Sequence, residues 1–249
     1  MRTDILDLHR FYESPLGAAA RDFIAARLAE AWGEAARLRV AGFGYASPFL
    51  SAFDAAERVL HLAPDAQGAM RWPADGRNLT ALVDEAFWPL PDVSIDRLLI
   101  VHGLEEASAP RRLMREAWRV LANGGRVIIV AAHRRGLWSM VETTPFAAGR
   151  PWLKRQLDAL LAETMFRPLA WSGALYFPPY GARFLLRAAA AWERAGSRLW
   201  PGLSGVLMVE AAKELLAPVG QVQRARRLVA GPLRPRPAQP AASRAKGAP

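Results

Sequence analysis

Three short segments of the chain contain residue types that suit ligand binding or proton transfer. The first is Gly42-Phe43-Gly44-Tyr45-Ala46, where glycine allows backbone amides to approach a nucleotide-like ligand that a side chain would exclude. The second contains Asp84, whose carboxylate can accept a hydrogen bond from an exocyclic amine. The third contains His102 and Glu105, which are candidates for a general base. Each segment also has a structural interpretation: a tight turn, an exposed acidic loop and a structural histidine.

Metal and thiol chemistry find no support in the composition. The chain contains no cysteine, which excludes disulfides, thiolate zinc sites, iron–sulfur clusters and cysteine nucleophiles. The histidines are scattered without the spacing of a metal site, so we predict that no metal is bound. There are four of them: His9, His61, His102 and His133.

Short apolar runs alternate with amphipathic segments and place the three candidate segments at strand ends. The predicted strands are 36–46, 58–63, 78–83, 97–101, 126–132 and 205–211. The predicted helices are 14–32, 49–57, 108–122, 151–165 and 183–195, the third of them stopped by Asn123-Gly124-Gly125. This alternation predicts an α/β fold with a doubly wound parallel sheet and helices on both faces. Ligands of such sheets bind at the carboxyl ends of the strands.

The positive charge is concentrated at one end of the chain. Of the formal net charge of +10 over 249 residues, +7 lies between Val219 and the C-terminus, which has no acidic residue and several prolines. We therefore predict a disordered basic tail over 218–249, with nucleic acid an unlikely partner except through this tail. No apolar run is long enough to span a membrane and no secretory signal is visible, so a cytoplasmic protein is expected.

Three motifs in the middle of the chain resemble those of class I S-adenosylmethionine-dependent methyltransferases, of the methyltransferase type 11 kind. The run DEAFWPLPDVSID at 84–96 is similar to the family's stretch after the third strand, and HGLEE at 102–106 to the segment after the fourth. The run REAWRVLANGGR at 115–126 is similar to the family's segment before the fifth strand. The order and spacing also agree, and the resemblance covers about residues 38–132.

The resemblance implies a Rossmann-like, mostly parallel seven-stranded sheet whose last strand is antiparallel, with S-adenosylmethionine as the cofactor. Gly42, Gly44 and Tyr45 would support its methionine part. Asp84 would hold the adenine amine, with Glu85 following in the same loop. The division implied is a methyltransferase-like domain over 1–217, made of a helical cap (1–36), a cofactor-binding core (37–132) and a substrate side (133–217).

The implied activity is methyl transfer to a small-molecule acceptor. His102 would line the cleft near the reactive methyl group, and His102 or Glu105 would act as a base for an acceptor that must lose a proton. Aromatic residues of the substrate side would either line the acceptor pocket or simply pack: Trp138, Trp152, Trp171, Tyr176, Phe177 and Tyr180. The acceptor and the oligomeric state stay open, and the N-terminal helix is interpreted either as a cap over the cleft or as a dimerisation element.

Departures from the family pattern support a second hypothesis. Ala46 replaces the third glycine of the turn, and the strand ending in Pro64 lacks the acidic residue that holds the ribose hydroxyls, for which Asp65 would substitute. Loss of such charge-assisted hydrogen bonds costs about 1.5–3 kcal/mol. The alternative is therefore a catalytically inactive methyltransferase-like fold with an interaction or regulatory role. A nicotinamide-dependent dehydrogenase is a weaker third reading, because the turn lacks the full GxGxxG pattern.

Overall fold

A computed structural model describes residues 2–215 and 226–227. Two helices precede an alternation of strands and helices. The helices are α1 (Ile5–Glu13), α2 (Pro15–Trp32), α3 (Ser47–Leu50), α4 (Pro110–Val120), α5 (Lys154–Glu163) and α6 (Arg183–Leu199). The strands are β1 (Arg39–Gly44), β2 (Arg58–Pro64), β3 (Thr80–Val83), β4 (Ile95–Val101), β5 (Leu121–Ala132), β6 (Phe166–Ala174), β7 (Val206–Lys213) and the two-residue β8 (Arg226–Arg227).

Seven strands form one twisted sheet in the order β3-β2-β1-β4-β5-β7-β6, and β8 pairs with the outer edge of β6. Strand β7 runs antiparallel to both of its neighbours, whereas β1 to β5 are mutually parallel where they pair. The predicted mostly parallel sheet with an antiparallel last strand is therefore confirmed. The order reverses between β1 and β4, which makes the carboxyl ends of these two strands the expected ligand site.

Each face of the sheet is covered by its own helices, because alternate residues of the buried strands point to opposite sides. Leu99 and Val101 of β4 pack in a core that includes buried residues of α1, α2, α3 and α6. Leu98 and Ile100 of the same strand pack in a second core with α4 and α5. This arrangement explains why the run 97–101 is almost continuously apolar.

The predicted limits of several helices were wrong. The helix predicted over 183–195 continues to Leu199, because Gly196 packs against Tyr176 within the helix instead of ending it, and the helix predicted over 151–165 is shorter, Lys154–Glu163. The expected helix over 49–57 is a single turn, α3, followed by a 3-10 turn, because the chain then returns to the start of β1: Arg37 donates its amide hydrogen to Ala55 and Glu57 donates to Leu38. Helix α4 ends at Val120 rather than at Asn123, because the loop before β4 caps it, with the Ser94 amide donating to the Val120 carbonyl.

Two elements were not predicted individually, α1 and β6. Helix α1 lies in the segment expected only as a helical cap, and the side chain of Asp4 caps it by accepting from the Leu6 amide. Strand β6 contains Pro168, and its pairing with β7 is irregular between Pro168 and Ala170. A proline and an irregular register hide the period of two that identifies a strand.

The predicted basic tail lies outside the described residues apart from Arg226 and Arg227 of β8. No helix in the described part of the chain has both the length and the apolar character needed to cross a bilayer.

Glu193 is the buried acidic residue of α6, and it gives the fold a predicted pH dependence. Its carboxylate accepts from the Tyr176 amide, and burial raises the pKa of the carboxyl to about 7, against an ordinary value near 4.5. Between about pH 4.5 and pH 7, the Glu193 carboxyl therefore keeps its proton in the folded protein, whereas the unfolded chain releases it. The stability from this group is complete below pH 4.5 and is lost as the pH rises to about 7.

We expect Glu193→Gln to raise the free energy of unfolding at pH 8 by about 1–3 kcal/mol, because the amide keeps the acceptor oxygen without the buried charge. At pH 4.5 the variant and the parent should be nearly equal. Urea denaturation across this pH range measures the difference, with the exposed Glu142→Gln as the control. A constant difference between pH 4.5 and 8 would contradict the assignment.

Candidate active site at the carboxyl ends of β1 and β4

The glycines at the end of β1 bring two strand ends and a helix into close contact. Gly44 has φ +81°, and a Cβ atom there would lie 2.2 Å from the Val101 carbonyl oxygen. A Cβ on Gly42 would lie 2.6 Å from the Cβ of Ala46. The amide of Tyr45 donates to the Val101 carbonyl at 2.8 Å, which joins the turn to the end of β4. The turn therefore needs glycine for backbone packing, whatever it binds.

His61 of the neighbouring strand β2 also holds the glycine turn, through a hydrogen bond to Gly44. Its Nε2 lies 2.9 Å from the carbonyl oxygen of Gly44, and its Nδ1 lies 3.2 Å from the hydroxyl oxygen of Thr80 in β3. Burial lowers the pKa of the imidazole, so the ring is neutral. Because a carbonyl can only accept, Nε2 carries the proton and Nδ1 accepts from Thr80. The ring therefore links β1, β2 and β3 and has a structural role.

The N-terminal segment covers the ends of β1 and β4. The buried Arg2 side chain donates to the Gly103 carbonyl at 3.0 Å and forms an ion pair with Glu85. Tyr12 of α1 stacks on Tyr45 with ring centroids 5.3 Å apart. The element over these strand ends is α1 with the residues before it, whereas the helix predicted over 14–32 forms α2, so its interpretation as a cap or a dimerisation element stays a prediction.

His102 is enclosed beneath this cap. The residue is 5% exposed, and its Nε2 lies 2.9 Å from the Tyr12 hydroxyl oxygen. Its ring centroid is 4.8 Å from that of Phe146. Burial lowers the pKa of the imidazole to about 4. The ring is therefore neutral at physiological pH, which is the form that can accept a proton.

The two residues of the acidic loop have different environments. Asp84 is exposed, and its carboxylate accepts from the Ala86 amide at 2.7 Å. Glu85 accepts from Arg2 and from both the amide and the hydroxyl of Ser108. Burial opposes ionisation of Glu85, but these partners outweigh it and hold the pKa of the carboxyl below its usual value. Glu85 thus anchors the N-terminal segment, and Asp84 keeps a carboxylate open to a ligand.

Glu105 is buried next to the end of β5. One carboxylate oxygen accepts from the Ala132 amide at 2.7 Å, whereas Oε2 has no hydrogen-bond partner in the described part of the chain. Burial raises the pKa of this carboxyl. The hydrogen bond to Ala132 joins the segment after β4 to β5. Oε2 of Glu105 can accept a proton only when the carboxyl group is ionised.

The loop after β2 contains Asp65, which the sequence analysis selected, and Gln67, which it did not select. Asp65 is exposed, and its carboxylate accepts from the amide of its neighbour Ala66 at 2.6 Å. Gln67 is 2% exposed, and neither its amide nitrogen nor its amide oxygen has a hydrogen-bond partner among the described residues. The loop lies under α1, since a Cβ on Gly68 would be 3.3 Å from the Ile5 side chain. Buried polar groups are nearly always paired, so Gln67 lacks, within residues 2–215, the partner that a buried amide normally has.

The structure thus places Gly42, Gly44, Tyr45 and His102 next to residues that the sequence analysis missed, namely Arg2, Tyr12 and His61, and it places Gln67, also missed, in the buried loop under α1. Their types carry no motif, and Arg2 lies 100 residues from the carbonyls it contacts. A polar residue soon after β2 was the only available signal for Gln67. Within residues 2–215, no group of three metal-ligating side chains is assembled.

Most aromatic residues of the substrate side are packed rather than open. Trp138 is fully buried, contacts Phe146 and Phe177 edge-on, and donates its indole hydrogen to the Phe177 carbonyl. Tyr176 and Trp171 are also buried, whereas Tyr180 is 56% exposed. Through Phe146, the Trp138 cluster contacts the ring of His102.

Comparison with known proteins agrees with this architecture. Residues 39–129 match a family model described as a methyltransferase domain. These residues run from β1 into β5 and include both glycines, Gln67, Asp84 and His102. The fold is that of the class I S-adenosylmethionine-dependent methyltransferases, and the resemblance of the sequence motifs to this family is confirmed.

Solved structures share the fold at low sequence identity. A methyltransferase from Mesorhizobium loti, described as S-adenosylmethionine dependent, is 16% identical, with coverage of 78% of this chain and 98% of that chain and a TM-score of 0.55. A possible histamine N-methyltransferase from Thermotoga maritima is 17% identical, with coverage of 83% and 91% and a TM-score of 0.53. The 4+2 cyclase SpnF is 22% identical, with coverage of 76% and 80% and a TM-score of 0.53.

A curated relative is similar over a shorter stretch. The uncharacterized protein YafS of Escherichia coli (strain K12) is 32% identical over an alignment of 113 residues, and the match covers 40% of this chain. The match spans about half the length of YafS, 47%.

Proposed function

We propose that this protein transfers the methyl group of S-adenosylmethionine to a small-molecule acceptor. The observation that carries the proposal is the buried Gln67 amide, which has no partner among the described residues and lies in the matched methyltransferase domain. It follows β2, the strand beside the glycine turn. An amide offers both donors and an acceptor, which matches the two hydroxyls of a ribose.

The residues present fit the two halves of the cofactor differently. For the adenosine half, Gln67 would form hydrogen bonds with the ribose, in place of the acidic residue that is missing at the end of β2. Asp84 would accept a hydrogen bond from the adenine amine. For the methionine half, Gly42, Gly44 and Tyr45 would form the floor. Next to this floor, Arg2 donates a hydrogen bond to the Gly103 carbonyl. When the cofactor binds, the cap must therefore either release this carbonyl or share it with the cofactor.

When bound, S-adenosylmethionine supplies an electrophilic methyl group on a sulfonium. The protein's part is to align an acceptor with it and to exclude water. The cap formed by α1 and the packed Trp138 cluster suits water exclusion. Neutral His102 would take a proton from an acceptor hydroxyl or amine at Nε2, provided that Tyr12 gives up its hydrogen bond to that atom.

Calorimetric titration of the full chain with S-adenosylmethionine and with S-adenosylhomocysteine tests the proposal. We expect micromolar binding of at least one of the two, reduced about tenfold by Asp84→Ala because one charged hydrogen bond is worth about 1.5–3 kcal/mol. Asp54→Ala, an exposed aspartate after α3, is the matched control and should leave binding unchanged. Absence of heat and of a thermal shift at millimolar ligand would overturn cofactor binding.

A second candidate is a catalytically inactive methyltransferase-like protein, and the cap is the observation that favours it. The Arg2 ion pair with Glu85 and the stacked Tyr12 already fill contacts around the turn. On this hypothesis neither ligand binds, and loosening the cap with Arg2→Ala restores no binding. Binding gained by Arg2→Ala would instead identify the cap as a competitor of the cofactor.

A further inference from the structure

Helix α6 presents to the solvent a face that differs from the rest of the surface. The helix is attached through Ala189, Glu193 and Gly196, which are buried on its inner side. The outer side carries large apolar residues, with Phe184 72% exposed and Leu199 71% exposed. These residues are not scattered singly, because the apolar surface continues past the end of the helix. The exposed apolar face, called here the α6 face, consists of Phe184, Trp192, Leu199, Trp200 and Leu203.

Exposed arginines border the α6 face along one side. Taken at 100° per residue, they lie within a 60° arc of the helix, adjacent to the arc of Phe184 and Leu199. None of them forms an ion pair within residues 2–215, and the acidic residue of the helix, Glu193, is buried. The arginines are Arg183, Arg187, Arg194 and Arg198.

We propose that the α6 face binds the surface of an anionic membrane. A helix that lies in the interface inserts its apolar side chains at the boundary of headgroups and acyl chains, and its basic side chains pair with lipid phosphates. Tryptophan prefers this boundary, and Trp192 and Trp200 lie together on the α6 face with ring centroids 6.4 Å apart. The contact is peripheral, as no described helix can span a bilayer.

Charge complementarity favours a lipid surface over the other occupants. A second copy of the chain would bring four arginines against four arginines, which is repulsive. A nucleic acid would bind the arginines, but its phosphates would leave Phe184 and Leu199 exposed to water. Of these three occupants, an anionic membrane is the one that satisfies the cationic and the apolar parts of the face together.

Flotation of the full chain with vesicles tests this proposal. We expect binding to vesicles of phosphatidylcholine and phosphatidylglycerol (about 7:3) at least tenfold stronger than to phosphatidylcholine alone, with a blue shift of tryptophan fluorescence. The variants Phe184→Ser/Leu199→Ser and Arg187→Gln/Arg194→Gln should each lose at least tenfold in binding. The control, Leu82→Ser/Arg112→Gln, changes an exposed leucine on edge strand β3 and an exposed arginine on α4.

Three results would overturn the proposal. The first is unchanged vesicle binding by both α6 variants, which would assign the attraction to charges elsewhere, such as the basic residues after Val219. The second is an equal loss in the control. The third is a stable dimer that the Phe184→Ser/Leu199→Ser variant dissociates, which would assign the face to a second copy. Circular dichroism and the midpoint of thermal unfolding check that each variant is folded.

Discussion

Replacing Gly44 with alanine is expected to lower the free energy of unfolding by about 3–5 kcal/mol, since it combines backbone strain with a steric clash. The residue has φ +81°, and its new Cβ would lie 2.2 Å from the Val101 carbonyl oxygen. The Cβ is fixed to the backbone, so no rotamer relieves the clash. Relief requires β1 and β4 to separate at the point where Tyr45 donates to Val101.

Gly124→Ala is the matched control for this prediction. Gly124 also has a positive φ, +77°, but no heavy atom lies within 4 Å of its Cβ position. It therefore carries the conformational cost alone, about 1–2 kcal/mol. Chemical denaturation of both variants isolates the clash as the difference between them. Equal destabilisation would show that the ends of β1 and β4 are not held in close contact by this glycine.

Replacing Gln67 with methionine is expected to change stability and cofactor binding in opposite directions. Methionine has a similar length and no polar amide, so the variant removes two buried atoms that have no partner in the described protein. An unsatisfied buried group costs about 1–3 kcal/mol, and the unliganded variant should be more stable by an amount of this order. Affinity for S-adenosylhomocysteine should fall about 10- to 100-fold, because the ribose loses its hydrogen bonds.

The opposite signs make this experiment its own control for folding. A variant that is more stable and binds less tightly has not lost binding by unfolding. Titration with S-adenosylhomocysteine and its 2′-deoxy analogue locates the contact further: the parent should prefer the ribose form, and Gln67→Met should lose that preference. Unchanged affinity, or an unchanged preference for the ribose form, would remove Gln67 from the cofactor site and leave the Asp84 test independent.

Most of the sheet could be predicted from local sequence because its strands are short and apolar. The run 97–101 has Leu98, Leu99 and Ile100 in succession, which is typical of a strand covered on both faces, and it forms β4. Helix α2 was predicted at nearly its observed limits from Ser14-Pro15 and the spacing of its apolar residues. Strand β6 escaped prediction because Pro168 and an irregular register break the period of two.

In the candidate site as well, some features could be predicted from local sequence and others depend on residues that are distant in the chain. Parallel strands place the residues at the carboxyl ends of β1, β3 and β4 at one edge of the sheet, and so the sequence could indicate Gly44, Asp84 and His102. The environments of these residues could not be predicted. The pKa of His102 falls to about 4 because the ring is enclosed on all sides, and Tyr12 lies 90 residues away in the chain.

The sequence by itself determined the class of fold and the glycine turn, because these follow from short apolar runs, their periodicity and the conformational freedom of glycine. Only the tertiary structure decided that Arg2 and Tyr12 cover the turn, that Gln67 is buried without a partner among the described residues and that the arginines of α6 face outward. Each of these facts depends on which side of a helix or loop finds an apolar neighbour, and that neighbour is distant in the chain. The spacing of apolar residues predicts that a helix or strand has an apolar face, whereas the tertiary packing determines which residues that face contacts.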